Sequence, residues 1–213
     1  MKQLIGLILA LGTTIAAVLT AAPAIVTAIP IAAGFTIYGA DRSCTVSFPD
    51  PITPDVVYTA AHCYTPGAPT IVYSDNYRIG DYIPAISNSV VDLIAIRLRS
   101  SVSSPQFLAT GEPLLDNWVA NAGGTVCKYS KRHENCGKVL EANSDRFNVD
   151  MSADPADSGA PIYQREKTNP ESGVHVVGIL IAETEPHSGV IVCSAMSPIN
   201  SFLSRTHRVT WDR

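Results

Sequence analysis

Short apolar runs rich in β-branched residues recur along this chain and leave little room for any other kind of element. They fall at 35–38, 45–48, 56–59, 70–73, 93–98, 118–120, 138–140, 147–149, 161–163, 174–181 and 190–196, and Gly, Pro, Asn or Asp lies close to each. Runs of this length, spaced by about ten residues and punctuated by turn formers, predict an all-β sandwich or barrel. Only 198–204 reads as helical, with Ile199, Phe202 and Leu203 on one side. The 15 Pro and 14 Gly have no period, and no internal repeat is visible. Residues 110–116, which hold Gly111 and Pro113, divide the chain into two halves of similar size. Hydrophobic residues make up 46% of the 213 residues and charged ones 16%, against about 25% charged in an ordinary domain. That composition excludes a disordered chain or a charged coiled coil. The net charge of -4 supplies no basic field, so nucleic acid is not an expected partner.

Lys2 is the only charge before Asp41. A basic start, an apolar run over 4–19 and small residues beyond it read as a secretory signal. Val26, Thr27 and Ala28 suit a cut after Ala28; rival cuts follow Ala24 and Ala33. The expected leader is therefore 1–28, with its boundary between 24 and 33. Uncleaved, the stretch would be long enough to anchor the chain in a membrane, but Pro23 and Pro30 interrupt it. Export implies a compartment in which cysteines pair. The five cysteines are Cys44, Cys63, Cys127, Cys136 and Cys193. Their local grouping suggests Cys44–Cys63 and Cys127–Cys136, with Cys193 a buried thiol in an apolar run. Sequence alone does not fix this pairing. A zinc site competes with it, but there is no C-x-x-C, and the adjacent His62 and Cys63 chelate poorly. No metal and no cofactor is expected.

Three local sequences carry chemistry. In Thr59-Ala60-Ala61-His62-Cys63 an apolar strand runs through small residues into a histidine, leaving room for another segment beside the imidazole. In Val91-Asp92-Leu93-Ile94-Ala95-Ile96 a carboxylate lies inside an apolar run. Burying it unpaired costs several kcal/mol, so it needs a hydrogen-bond donor such as an imidazole N–H. In Ala156-Asp157-Ser158-Gly159-Ala160-Pro161 a serine lies in a turn that can hold its hydroxyl outward. A serine hydroxyl is a weak nucleophile that needs a base in reach, and the base needs an anion to orient it. The order His62, Asp92, Ser158 is that of one class of hydrolases and differs from the orders of others.

On these motifs the chain resembles the chymotrypsin-like serine peptidases, especially their small secreted bacterial members such as the α-lytic protease and streptogrisin types. The resemblance extends to Val126-Cys127-Lys128 with Cys136-Gly137, and to the closing run 189–203, and so covers most of 34–213. It implies two six-stranded antiparallel β-barrels with a short C-terminal helix, the first barrel over about 34–113 and the second over about 114–213. His62 and Asp92 would come from the first, Ser158 from the second, and the site would lie in the cleft between them. Cys44–Cys63 and Cys127–Cys136 would match two family disulfides. Lys128 stands where bacterial members carry an arginine that pairs with the aspartate before the nucleophile, here Asp157. The amides of Ala156 and Ser158 would form the oxyanion hole. The implied activity is a secreted, monomeric endopeptidase acting on protein or peptide substrates.

Several residues depart from the family pattern. Ala156 and Ala160 replace two glycines of G-D-S-G-G, and Pro155 restricts the loop further. The Cβ of Ala156 opposes the peptide orientation that aims its N–H. Ile181-Ala182-Glu183 matches the strand that pairs with the substrate backbone, and Glu183 replaces a glycine at the entrance of the specificity pocket. Ser152 would occupy that pocket's base, where no acid is present to favour Arg or Lys. His133, His175, His187 and His207 show no ligand spacing and read as surface or strand residues, and Trp118 and Trp211 as packing residues. The alternative is a protease-fold binding or envelope protein with weak or no hydrolysis.

Overall fold

The computed structural model describes residues 28–166, 172–185 and 188–210. All of the expected leader but Ala28 lies outside these residues, as do His187 and Trp211. The first half of the chain forms β1 (Ile29–Pro30), β2 (Thr36–Tyr38), β3 (Ser43–Thr45), β4 (Val56–Ala60), β5 (Ile71–Ser74), β6 (Tyr77–Asn88), β7 (Leu93–Leu98) and β8 (Val102–Ser103). The second half forms β9 (Leu114–Asn117), β10 (Thr125–Ser130), β11 (His133–Ala142), β12 (Arg146–Asp150), β13 (Pro161–Arg165), β14 (Val174–Glu183) and β15 (Val190–Ala195), followed by helix α1 (Met196–Thr210). No described helix is long and apolar enough to cross a membrane.

The strands make two curled sheets. The first has the order β3-β2-β5-β6-β7-β4. Its edges meet where the chain after β3 runs beside β4: the Ser47 N–H donates to the Tyr58 carbonyl at 2.8 Å, and the Tyr58 N–H to the Phe48 carbonyl at 3.0 Å. The second has the order β13-β10-β11-β12-β15-β14, and pairing of β13 with β14 closes it into a barrel. Strand β9 adds in parallel outside β14, and β1 pairs in parallel with β8. This is the all-β double-barrel architecture with a C-terminal helix that the sequence predicts. Four strands, β1, β6, β8 and β10, appear where no run was expected. Near residue 118 the strand is instead β9, and the helix extends past 198–204 at both ends.

Burial explains why the strands that matter most are mainly apolar on both faces. Along β7, Ile94 and Ile96 face the first barrel's interior, while Leu93 and Ala95 face a second core between the barrels. In β4, Val57 packs in the first barrel's core, and Val56 and Tyr58 pack in that shared core. Strand β14 does the same from the other side: Val177 and Leu180 fill the second barrel, and Val176, Ile179 and Ile181 fill the shared core. Met196, Ile199 and Leu203 of α1 complete the shared core. Period-2 alternation with both faces buried yields continuous apolar runs. These same strands carry the candidate site, so it stands on the most deeply packed part of the fold.

Candidate active site

His62 lies in a single 3₁₀ turn, Ala61–Cys63, directly after β4. Asp92 immediately precedes β7 and adopts φ 51°, a left-handed conformation that aspartate tolerates better than most residues. Strands β4 and β7 are antiparallel neighbours with Ala60 opposite Leu93, so the two residues meet at the end of the ladder. The Ala61 N–H donates to the Asp92 carbonyl at 3.0 Å. The carboxylate holds the histidine twice, through the His62 backbone N–H at 3.0 Å and the ring Nδ1 at 2.6 Å. With Nδ1 engaged by an anion, Nε2 is the nitrogen left to take up a proton from a neighbouring group. The second barrel steadies the Asp92 segment, because buried Ser194 donates its hydroxyl to the Val91 carbonyl at 2.8 Å. The Cys44–Cys63 disulfide is formed next to the histidine, tying β3 to the 3₁₀ turn, and Arg42 Nη1 donates to the His62 carbonyl at 2.7 Å.

Ser158 follows a second 3₁₀ turn, Pro155–Asp157, on the other barrel. Both barrels grip the segment. From the first, the Thr45 N–H donates to the Ser158 carbonyl at 2.8 Å and the Thr45 hydroxyl to the Ala156 carbonyl at 2.8 Å. The Ser47 hydroxyl donates to the Gly159 carbonyl. From the second, the Gly159 N–H donates to the Leu180 carbonyl at 2.8 Å. Gly159 has φ +85°, and a Cβ there would stand 2.4 Å from Thr59 Oγ1 and 2.5 Å from the Thr45 carbonyl oxygen, so only glycine fits. Thr45, Ser47 and Thr59 are fully buried. Their signal in the sequence is a hydroxyl residue at positions where an apolar strand expects a hydrophobic one.

Behind the serine, Asp157 and Lys128 form a buried ion pair. Asp157 also accepts the Ser130 hydroxyl at 2.7 Å and the Asp154 N–H at 2.9 Å. Burial pushes its carboxyl group up, but the Lys128 ammonium, the Asp154 N–H and the Ser130 hydroxyl outweigh that and hold it below the usual carboxylate range. Lys128 and Ser130 lie on β10 beside the formed disulfide Cys127–Cys136, whose cysteines are directly opposed across β10 and β11.

His62 and Ser158 line one cavity of about 490 Å³ together with Asp41, Arg42 and Pro155. No hydrogen bond joins the Ser158 hydroxyl to His62 among the described contacts. Ala156 is not among the residues with positive φ. A type II turn across 154–157 would need φ above zero at Ala156, which its Cβ opposes, and the chain forms a helical turn instead, with the Asp157 N–H on the Asp154 carbonyl at 2.9 Å. In a helical turn carbonyls point toward the C-terminal end and N–H groups toward the N-terminal end. The Pro155 carbonyl thus faces the Ser158 side, and the Ala156 N–H points back.

A second cavity of about 470 Å³ adjoins Ser158 on the flank away from His62, lined by Ala153, Asp154, Pro155, Leu180, Ala182 and Glu183. Two of the four residues expected at the specificity pocket line it, Ala182 and Glu183. Ile181 instead packs in the shared core. Ser152 is not a lining residue at all. It is exposed and borders a separate polar cavity with Lys128, Ser130, Lys131 and His133. Cys193 is a buried free thiol, pushed up by burial. His175 corrects the reading of a surface or strand residue with no special surroundings: it is buried, stacks on Trp118 with ring centroids 3.6 Å apart, and holds Asp116 through Nδ1. Cys127, Glu134 and Cys136 form the one described group close enough to bind a metal, but both sulfurs are consumed in the disulfide.

No protein-family model and no curated protein matches the chain. Solved structures do. Protease A of Thermobifida fusca superposes with a TM-score of 0.65 at 17% identity, over 82% of this chain and 96% of that one. Nocardiopsis protease gives 0.63 at 18% identity, over 81% and 96%. Cellulomonas bogoriensis chymotrypsin gives 0.63 at 19% identity, over 83% and 97%. At these identities the likeness establishes the fold, which is that of the bacterial chymotrypsin-like serine proteases.

Proposed function

We propose that the chain is a secreted serine endopeptidase that cleaves peptide bonds through an acyl-enzyme, with Ser158 as nucleophile, His62 as base and Asp92 as orienter. One observation carries the reading. The Asp92 carboxylate holds both the backbone N–H and Nδ1 of His62, and that imidazole shares a cavity with Ser158. Two formed disulfides and the uncharged, small-residue N-terminal stretch support export. In the first half-reaction Ser158 Oγ bonds to the scissile carbonyl carbon and its proton passes to His62 Nε2. Asp92 stabilises the imidazolium that forms. The proton then goes to the leaving amine, whose bond to the carbonyl carbon breaks, and water repeats the sequence to release the acid. The oxyanion is met by the Ser158 N–H and, after reversal of the Pro155–Ala156 peptide, by the Ala156 N–H. No cofactor enters the scheme, and the enzyme is proposed to act as a monomer.

The helical turn at Ala156 favours a second reading, a protease-fold binding protein with little or no hydrolysis. A fluorophosphonate probe separates the two. The peptidase reading expects stable labelling of Ser158 in the folded protein, abolished in His62→Ala and strongly slowed in Asp92→Asn. A folded protein that fails to label between pH 6 and 9 is the binder.

A further inference from the structure

A cavity of about 260 Å³ is bounded by residues from both halves of the chain. Gly34 and Phe35 come from the segment leading into β2, Asp75 from the turn between β5 and β6, and Ala109 from the connection between the halves. Tyr129 is on β10, and Arg132 is in the turn between β10 and β11. The two halves touch here. A Cβ at Gly34, whose φ is +91°, would stand 2.6 Å from Tyr129 Cδ1 and 3.0 Å from the Tyr129 carbonyl oxygen, so glycine is what lets them close.

This cavity borders both sets of bonds that hold the Ser158 segment. The Gly34 N–H donates to the Val46 carbonyl at 2.7 Å, and the Val46 N–H donates to the Phe35 carbonyl at 2.9 Å. Val46 stands between Thr45 and Ser47, which hold Ala156, Ser158 and Gly159. Tyr129 stands between Lys128 and Ser130, which hold Asp157. The turn after Ser130 is formed by Lys131 and Arg132, with φ 49° and 66°. A turn of this kind is relaxed with Asn and Gly, and here it carries two cations. Lys131 pairs with Asp154 at 3.1 Å. Arg132 lines the cavity instead, and Asp75, contributed by the other half, is its only other charged lining residue.

One carboxylate, one guanidinium and an apolar space with two aromatic rings match a small molecule that joins an ammonium, a carboxylate and an apolar group. We propose that the cavity is an effector site for a free α-amino acid with an apolar side chain. Asp75 takes the ammonium, Arg132 the carboxylate, and Phe35 and Tyr129 the side chain. A ligand gripped at one end by each half binds best at one spacing of the two, and so favours that arrangement over looser ones. The same walls carry the bonds to the Ser158 segment, so occupancy fixes the serine in place and raises its reactivity. Binding is independent of the peptidase reading given above; the effect on reactivity rests on it.

The probe is L-leucine, with N-acetyl-L-leucine amide as the isostere without charges. Calorimetry on the purified protein is expected to give saturable binding of L-leucine with a Kd of about 1 mM or tighter. Asp75→Asn and Arg132→Gln, both in exposed turns, are each expected to weaken it about tenfold or more, and the amide is expected to bind no better than to those variants. Saturating L-leucine is expected to speed fluorophosphonate labelling of Ser158 about threefold or more in the native protein, and to leave Arg132→Gln unchanged. No saturable binding, equal binding of the amide, or undiminished binding in both variants overturns the site. Binding that leaves the labelling rate unchanged, or slows it equally in Arg132→Gln, overturns the effector role. A protein that does not label with or without L-leucine overturns the peptidase reading, while calorimetry still decides whether the site exists.

Discussion

Lys128 and Asp157 pair across 29 residues of chain with both side chains almost wholly withdrawn from water. The pair joins β10 to the turn that presents Ser158, so the position of the proposed nucleophile depends on a charge interaction inside the second barrel. Removing one partner leaves a buried, uncompensated charge, which typically costs about 3–5 kcal/mol. Lys128→Met is expected to lower the unfolding free energy from urea titration by an amount in that range and to suppress labelling of Ser158, while Lys128→Arg keeps the charge and recovers part of both. Equal midpoints for Lys128→Met and the parent protein would show that the pair contributes nothing.

The same pair sets a pH dependence. The folded-state pKa of Asp157 lies below its ordinary value because Lys128, Ser130 and the Asp154 N–H outweigh the upward push of burial. A group depressed on folding contributes stability that is fully present above its unfolded pKa, about 3.9 for an aspartate, and is lost as pH falls through the folded value. Urea midpoints measured from pH 6 downward are expected to hold steady to about pH 4 and then decline. In Asp157→Asn the decline is expected to be shallower. Glu112 is depressed in the same direction, chiefly by Arg165, but it is more open to solvent and its share is correspondingly screened.

Ala156 makes a third expectation. Its Cβ holds the turn in the helical form, with the Ala156 N–H pointing back along the turn. Ala156→Gly removes the penalty for positive φ and allows the Pro155–Ala156 peptide to reverse. One oxyanion donor is worth about 10²–10³ in kcat, so the variant is expected to gain activity toward that range with little change in KM. A gain in KM alone, or none in either constant, would mean that the turn is not what limits the reaction.

The parts of this architecture that could be read from the chain are those where burial and chemistry leave a local mark. Strands β4, β7 and β14 are mainly apolar on both faces because both faces are largely covered, and Asp92 is conspicuous as a charge beside such a run. Strand β10 was invisible because its inward positions include Lys128 and Ser130, whose partner Asp157 is far along the chain. Strand β6 carries Arg78, Gly80, Asp81 and Pro84, and its ladder is irregular between Ile83 and Ser87, so it lacks the alternation that marks a regular strand. At the candidate site the motifs identify His62, Asp92 and Ser158, but the hydroxyls of Thr45, Ser47 and Ser194 that brace them are ordinary until the fold brings them into place. Ser152 lines a cavity with Lys128, Ser130, Lys131 and His133. Counting back along the chain gives a position, and only the path of the turn decides which cavity that position faces.

If the N-terminal stretch is a cleaved leader, the first described residues give the rival cuts different consequences. The Ile29 N–H donates to the Ser101 carbonyl at 2.9 Å and the Ile31 N–H to the Ser103 carbonyl at 2.8 Å. Ala33 bridges to Leu108, donating to the Phe107 carbonyl at 3.2 Å and accepting the Ala109 N–H at 2.8 Å. Ile31 is 2% exposed and belongs to the first barrel's core, and Ala33 is fully covered. A cut after Ala33 would strip these bonds and withdraw the Ile31 side chain, whose burial alone is worth about 1.5–3 kcal/mol. Cuts after Ala24 or Ala28 leave them intact. N-terminal sequencing of the exported protein is expected to begin at Ile25 or Ile29, and a version beginning at Gly34 is expected to unfold at a clearly lower urea concentration. An exported protein that begins at Gly34 with undiminished stability would show that the strand at Ile29–Pro30 is dispensable to the fold.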